Sequence, residues 1–114
     1  MRDRLILLDV GFSDPEFPKQ RFYCWHCVLM EGLLSCYPEM AKSLDVQRIS
    51  WTRPRQVLVD LIGPGSQSVP VLILADDAPD GLETGSFRGR RYVNGKDVIL
   101  LSLSVRYGID DPHP

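Results

Sequence analysis

The residues of this chain whose types and spacing can do chemistry are the two cysteines of Tyr23-Cys24-Trp25-His26-Cys27. Two thiols three positions apart on one helix lie within disulfide reach, and a thiolate is both a nucleophile and a partner for exchange. The chemistry expected is therefore thiol–disulfide exchange. Cys24 would attack, and Cys27, one turn further in and more buried, would resolve the mixed disulfide by attacking Cys24. At the N-terminal end of a helix the Cys24 thiolate would face unpaired backbone N–H groups and the positive end of the macrodipole. The bland alternative is a pair of inert thiols, because free cysteine packs as a small hydrophobe.

The neighbours of the pair carry two readings each. His26 as an imidazolium would stabilise the Cys24 thiolate and make the pair oxidising; otherwise it is a solvent-exposed histidine. Trp25 sits at the tip of the turn either as an apolar contact for a partner or as half-buried packing. Cys36, nine residues after Cys27 and about 180° around an ideal helix, should point away from the pair. A zinc site needs four ligands, and beyond the pair only Cys36, His26 and His113 remain, so no metal is expected.

These side chains need elements to hold them. Arg4 to Val10 is a nearly continuous apolar run, as in a central strand buried on both faces. Gly11 to Phe22, with Pro15 and Pro18 and no apolar period, reads as a long loop leading into the cysteines. From Cys24 to about Leu34 the apolar residues Val28, Leu29, Leu33 and Leu34 keep helical spacing, and Pro38 restarts or kinks that helix. Val46 to Trp51 is a weaker strand. Thr52-Arg53-Pro54 resembles a helix entry, followed by Val57, Leu58, Leu61 and Ile62 until Gly63. Val69 to Leu74 is a strand whose Pro70 belongs at its start or edge. Ala75 to Arg91 is expected as a loop or irregular hairpin, with a short strand at Tyr92-Val93. In that stretch Arg88, Arg90 and Arg91 form either a clamp for an anionic ligand or a solvated surface run. Gly95 to Tyr107 is expected as a helix, with Asn94 as N-cap, Asp97 in the first turn and Gly108 as C-cap.

The order strand, helix, strand, helix, strand, helix implies an α/β layer structure, and 114 residues suit one domain. A formal net charge of −2 provides no basic footprint, so nucleic acid is not an expected partner. The apolar stretch Leu5–Leu8 is too short for a membrane span or a signal-peptide core, and three cysteines do not make a disulfide-stapled secreted scaffold. The expected setting is the bacterial cytoplasm.

With the first strand, Cys24-Trp25-His26-Cys27 at a helix start and Ser68-Val69-Pro70-Val71 opening a later strand, the chain resembles the thioredoxin superfamily over almost its whole length. The span Val69 to Leu74, a loop, then Asp97 to Gly108 is similar to the second half of glutaredoxins and of glutathione-transferase N-terminal domains. Closer still, Phe22 to Cys27 with Glu31-Gly32-Leu33-Leu34 resembles an uncharacterised bacterial family of short thioredoxin-like proteins. The resemblance implies a thioredoxin-like fold, with a central mixed sheet of about four strands flanked by helices. It implies a cis Pro70 close to the cysteine pair, and a Val69 backbone free to pair with a glutathione or peptide strand. Glutathione enters as a cosubstrate on that basis alone, and the acidic-serine pair that holds its γ-glutamyl group in the transferases is missing; Asn94, Gly95 and Lys96 stand near that place. The expected function is thiol–disulfide oxidoreduction by Cys24, Cys27 and His26 on protein or small-molecule thiols, with Tyr23, Trp25, Val69 and Pro70 contacting the substrate. A non-enzymatic binding module and a glutathione-binding, transferase-like protein are the alternatives.

Overall fold

A computed structural model of the chain describes residues 2–114. It is built on β1 (Arg4–Leu8), whose Leu5, Ile6, Leu7 and Leu8 are all buried. Successive strand side chains point to opposite faces, so a strand buried at every position must be covered on both. Each such leucine or isoleucine contributes about 1.5–3 kcal/mol by burial. β1 pairs in parallel with β4 (Asp45–Ile49) and antiparallel with β5 (Val71–Ile73). β5 continues antiparallel to β7 (Arg90–Asn94), and β7 to β6 (Gly85–Phe87). The result is a five-stranded mixed sheet in the order β4-β1-β5-β7-β6, flanked by helices.

The helices are α1 (Trp25–Cys36), α2 (Pro38–Ser43, with its proline at the first turn), α3 (Gln56–Ile62) and α4 (Lys96–Tyr107). Gly108 closes α4 in the left-handed conformation, and its N–H reaches the Ser104 carbonyl. The start of α4 differs from expectation. Gly95, not Asn94, is its N-cap, because Asn94 is the last residue of β7 and its side-chain oxygen accepts from Thr84 Oγ1 at 2.7 Å.

Two stretches that lack an apolar period nevertheless form strands. β6 and β7 make a hairpin across Arg88-Gly89, both at positive φ, the turn that matches the twist of two antiparallel strands. That adds a fifth strand to the four expected. In the segment before the cysteines, β2 (Phe12–Ser13) pairs with β3 (Arg21–Phe22), held by aromatic contacts of Phe22 with Phe12 and Phe17. Both Arg53–Pro54 and Val69–Pro70 are cis.

At the N-terminal end of β1 the fully buried Asp3 gathers the ends of the chain. Its carboxylate accepts from Arg106 Nε and Nη2 at 2.9 and 2.8 Å, from Tyr107 Oη at 2.5 Å and from Ala75 N at 2.7 Å. Burial alone would raise the Asp3 pKa, but these hydrogen bonds and the Arg106 charge outweigh it and hold it below the ordinary value. A depressed folded-state value means that the contribution is complete above the unfolded value of ~4 and is lost as pH falls through the folded one. Asp3→Asn should therefore reduce stability by about 3 kcal/mol or more in urea unfolding at pH 7, because it leaves Arg106 without its buried counter-charge. The variant should also lose less further stability than the parent between pH 4 and pH 2. Equal acid sensitivity of the two proteins would disprove this role.

Candidate functional site

The site is assembled where the C-terminal end of β1 meets the starts of α1 and α3. Cys24 is the N-cap of α1, with extended backbone angles, and its Sγ accepts a hydrogen bond from Cys27 N at 3.4 Å. Thus the sulfur does what a serine or aspartate oxygen does at a helix start, satisfying one of the four N–H groups that have no partner inside the helix. Cys27 lies in the first turn, buried against the sheet, and its Sγ accepts from Leu8 N at 3.5 Å. Cys24 is half-buried and Cys36 exposed, and all three are free thiols.

The two sulfurs therefore meet different surroundings. Burial pushes the Cys27 thiol up to about 12, reinforced by the hydrogen bond and charge of Cys24 and opposed by Leu8 N and Arg55. Cys27 is a protonated thiol at neutral pH.

Cys24 opens onto a cavity of about 300 Å³ lined by Leu8, Phe12, Trp51, Arg53, Arg55, Ser68 and Val69. Phe12 and Trp51 stack with ring centres 5.6 Å apart and planes 9° apart. Arg55, the N-cap of α3, is only 6% exposed. Its Nε donates to the Trp51 carbonyl at 3.1 Å and its Nη1 to the Gln67 carbonyl at 2.7 Å, while its backbone N–H donates to Gln67 Oε1. Burial, and next the charge of Arg53, pull the Arg55 pKa below its ordinary value, and the two cysteines act in the opposite sense.

Of the residues singled out from sequence, Cys24 and Val69 share this cavity, and Cys27 lies beneath Cys24. Pro70 is buried behind Val69 at the entry to β5. Tyr23, Trp25 and His26 are not among the residues that line it. Trp25 is 67% exposed, beside an equally open Tyr23, with Lys96 Nζ 6.0 Å from its ring centre. The His26 ring is half-buried against Trp25, with centres 3.9 Å apart, and no hydrogen bond joins it to Cys24 among the described residues. Its Nε2 is buried without a partner, so an N–H at that atom would lack an acceptor.

Of the arginine run, Arg91 is engaged by the fold, whereas Arg88 and Arg90 line a separate cavity with Arg2 and Arg4. Arg91 donates to the carbonyls of Ala75, Asp76, Ala78 and Pro79 and pairs with Asp80, Arg90 donates to the Leu61 carbonyl, and Arg88 lies over the Phe87 ring. The cations near Cys24 are instead Arg53 and Arg55, which periodicity did not single out. One signal was available: arginine just before a helix stands at the positive end of its dipole, an unfavourable place that calls for another reason.

A mixed α/β fold with a reduced cysteine pair at the start of its first helix is the class that fold and site define. The chain belongs to the family described as Protein of unknown function (DUF3088), which matches residues 2–111. No curated protein and no solved structure matches it. No helix among the described residues is long and apolar enough to cross a membrane, and no group of metal-ligating side chains is found among them.

The unequal thiols have a direct consequence for alkylation. In protein carrying Cys36→Ser, iodoacetamide at pH 8 should label Cys24 about a hundredfold or more faster than Cys27, since the thiolate is the reacting form. Fragment-ion mass spectrometry separates the two positions. Comparable labelling of Cys27 in the folded protein would contradict its assignment as the buried thiol.

Proposed function

We propose that this chain is a thiol–disulfide oxidoreductase in which Cys24 is the nucleophile and Cys27 the resolving thiol. The observation that carries the reading is the asymmetry of the pair: a half-exposed sulfur that caps a helix, above a buried thiol hydrogen-bonded to β1. The finer description of the fold as thioredoxin-like is supported by the order β4-β1-β5-β7, by the pair at the start of α1 and by Ser68-Val69-Pro70 leading into β5.

In the first step the Cys24 thiolate attacks one sulfur of a disulfide, a new S–S bond forms, and the other sulfur leaves as a thiolate that takes a proton from solvent. Cys24 then no longer carries charge, which removes part of what held the proton on Cys27. Cys27 loses that proton to solvent and attacks Cys24 Sγ, so the Cys24–Cys27 disulfide forms and the second substrate sulfur leaves. The substrate gains two electrons and the protein loses two. A thiol or dithiol reductant, with glutathione one such thiol, returns the pair to its reduced form, and the proposed compartment is accordingly the reducing cytoplasm.

A binding role for the same surface is favoured by the open Tyr23 and Trp25 beside the pair, since exposed aromatic side chains suit a protein partner. One experiment separates the two readings. With dithiothreitol as reductant, the protein should accelerate reduction of insulin disulfides, Cys24→Ser should return the rate to that of dithiothreitol alone, and Cys27→Ser should accumulate a mixed disulfide on Cys24 detectable by mass. Activity undiminished in Cys24→Ser would sink the oxidoreductase, and no acceleration by the unaltered protein, together with no reaction of Cys24 with small disulfides, would leave the binding role.

A further inference from the structure

We propose that the cavity beside Cys24 is a carboxylate-binding subsite formed by Arg53 and Arg55, and that the substrates of Cys24 are small disulfides or thiols bearing a negative charge. The inference rests on the oxidoreductase reading and adds a substrate class to it.

Arg55 places a guanidinium within the fold, yet among the described residues no carboxylate pairs with it or with Arg53. None of the residues lining the cavity is acidic. Two carbonyls tether Nε and Nη1 of Arg55, and no protein acceptor is recorded for Nη2 among the described residues. Arg53 is exposed at the same cavity, with no side-chain hydrogen bond recorded. Two guanidinium groups so close repel each other, which is seen in the effect of Arg53 on Arg55. A buried cation without a counter-charge is unfavourable, and the planar N–H fork of arginine matches a carboxylate.

The Cys24 thiolate supplies one negative charge to this environment, but that charge disappears when the mixed disulfide forms. A carboxylate carried by the substrate remains through the step and keeps the arginines neutralised. The stacked Phe12 and Trp51 form an apolar wall suited to the methylene groups between a carboxylate and its sulfur.

The test uses protein with Cys27→Ser and Cys36→Ser, so that Cys24 is the sole thiol, and follows mixed-disulfide formation by mass with three disulfides of similar size. These are 3,3′-dithiodipropionate (dianionic), bis(2-hydroxyethyl) disulfide (neutral) and cystamine (dicationic), each normalised to its rate with a cysteine-containing peptide. The dianion should react at least about tenfold faster than the neutral compound, and the dication slower, although a net charge of −2 would by itself oppose that order. Arg55→Met and, independently, the exposed Arg53→Met should each collapse the ratio of anionic to neutral rates; Arg53→Met decides the matter if Arg55→Met does not fold. Equal normalised rates for the three compounds, or a ratio unchanged in Arg53→Met, would overturn the subsite while leaving the oxidoreductase reading intact. Failure of Cys24 to react with any of the three, the neutral compound included, would instead remove the oxidoreductase reading itself.

Discussion

Burial of β1 on both faces is the constraint from which the rest of the molecule follows. A strand with no polar side to show must pair along both edges and be covered above and below, and it does so with β4, β5 and the flanking helices. Its two ends then become fixed points. Residue 3 delivers a carboxylate to Ala75, Arg106 and Tyr107, tying α4 and the end of β5 to the sheet. Leu8, at the other end, offers its N–H to Cys27 and one wall to the cavity. The buried Asp3–Arg106 pair stands at one end of the central strand and the cysteine pair at the other.

At the reactive end, charge and burial are arranged so that equivalent side chains become unequal. Cys24 caps α1 and Cys27 lies in its first turn, but one faces the cavity and the other the sheet. The buried thiol retains its proton because it lacks water and lies under a second sulfur. The hydrogen bond from Cys27 N to Cys24 Sγ links the two. In the proposed exchange this geometry would order the steps: attack begins at the accessible sulfur, and the buried one becomes easier to deprotonate once Cys24 is spent. Arg55 opposes the proton on Cys27.

The segment between β1 and the cysteines shows how an irregular stretch can be ordered without an extended core of its own. Phe22 contacts both Phe12 and Phe17, and Phe12 also stacks on Trp51 at the cavity. Aromatic rings bury much area with few torsions to fix, so a two-residue strand pair suffices to hold the approach to Cys24. The backbone and side chain of Gln67 hold Arg55 in place.

What could be read in the sequence was local. The unbroken apolar run of β1, the helical spacing of Val57 to Ile62, the two-residue gap between the cysteines and the glycine after Tyr107 each depend on neighbours within one or two turns, where periodicity and capping act. The family resemblance also pointed to an uncharacterised family, and the chain belongs to one. Other features were hidden because their partners are distant in the chain. Asp3 is buried by residues 72 to 104 positions away, β6 is a strand only because β7 pairs with it, and Asn94 leaves the cap for Thr84 across that hairpin. The composition of the cavity was decided in the same way. Phe12, the Trp51–Arg55 stretch and Val69 lie in three separate segments, and no spacing rule connects them. The sequence by itself determined that two thiols would stand within reach of each other; tertiary packing decided which is buried and which cations face them, because desolvation and electrostatic contact depend on whatever the folded sheet brings alongside.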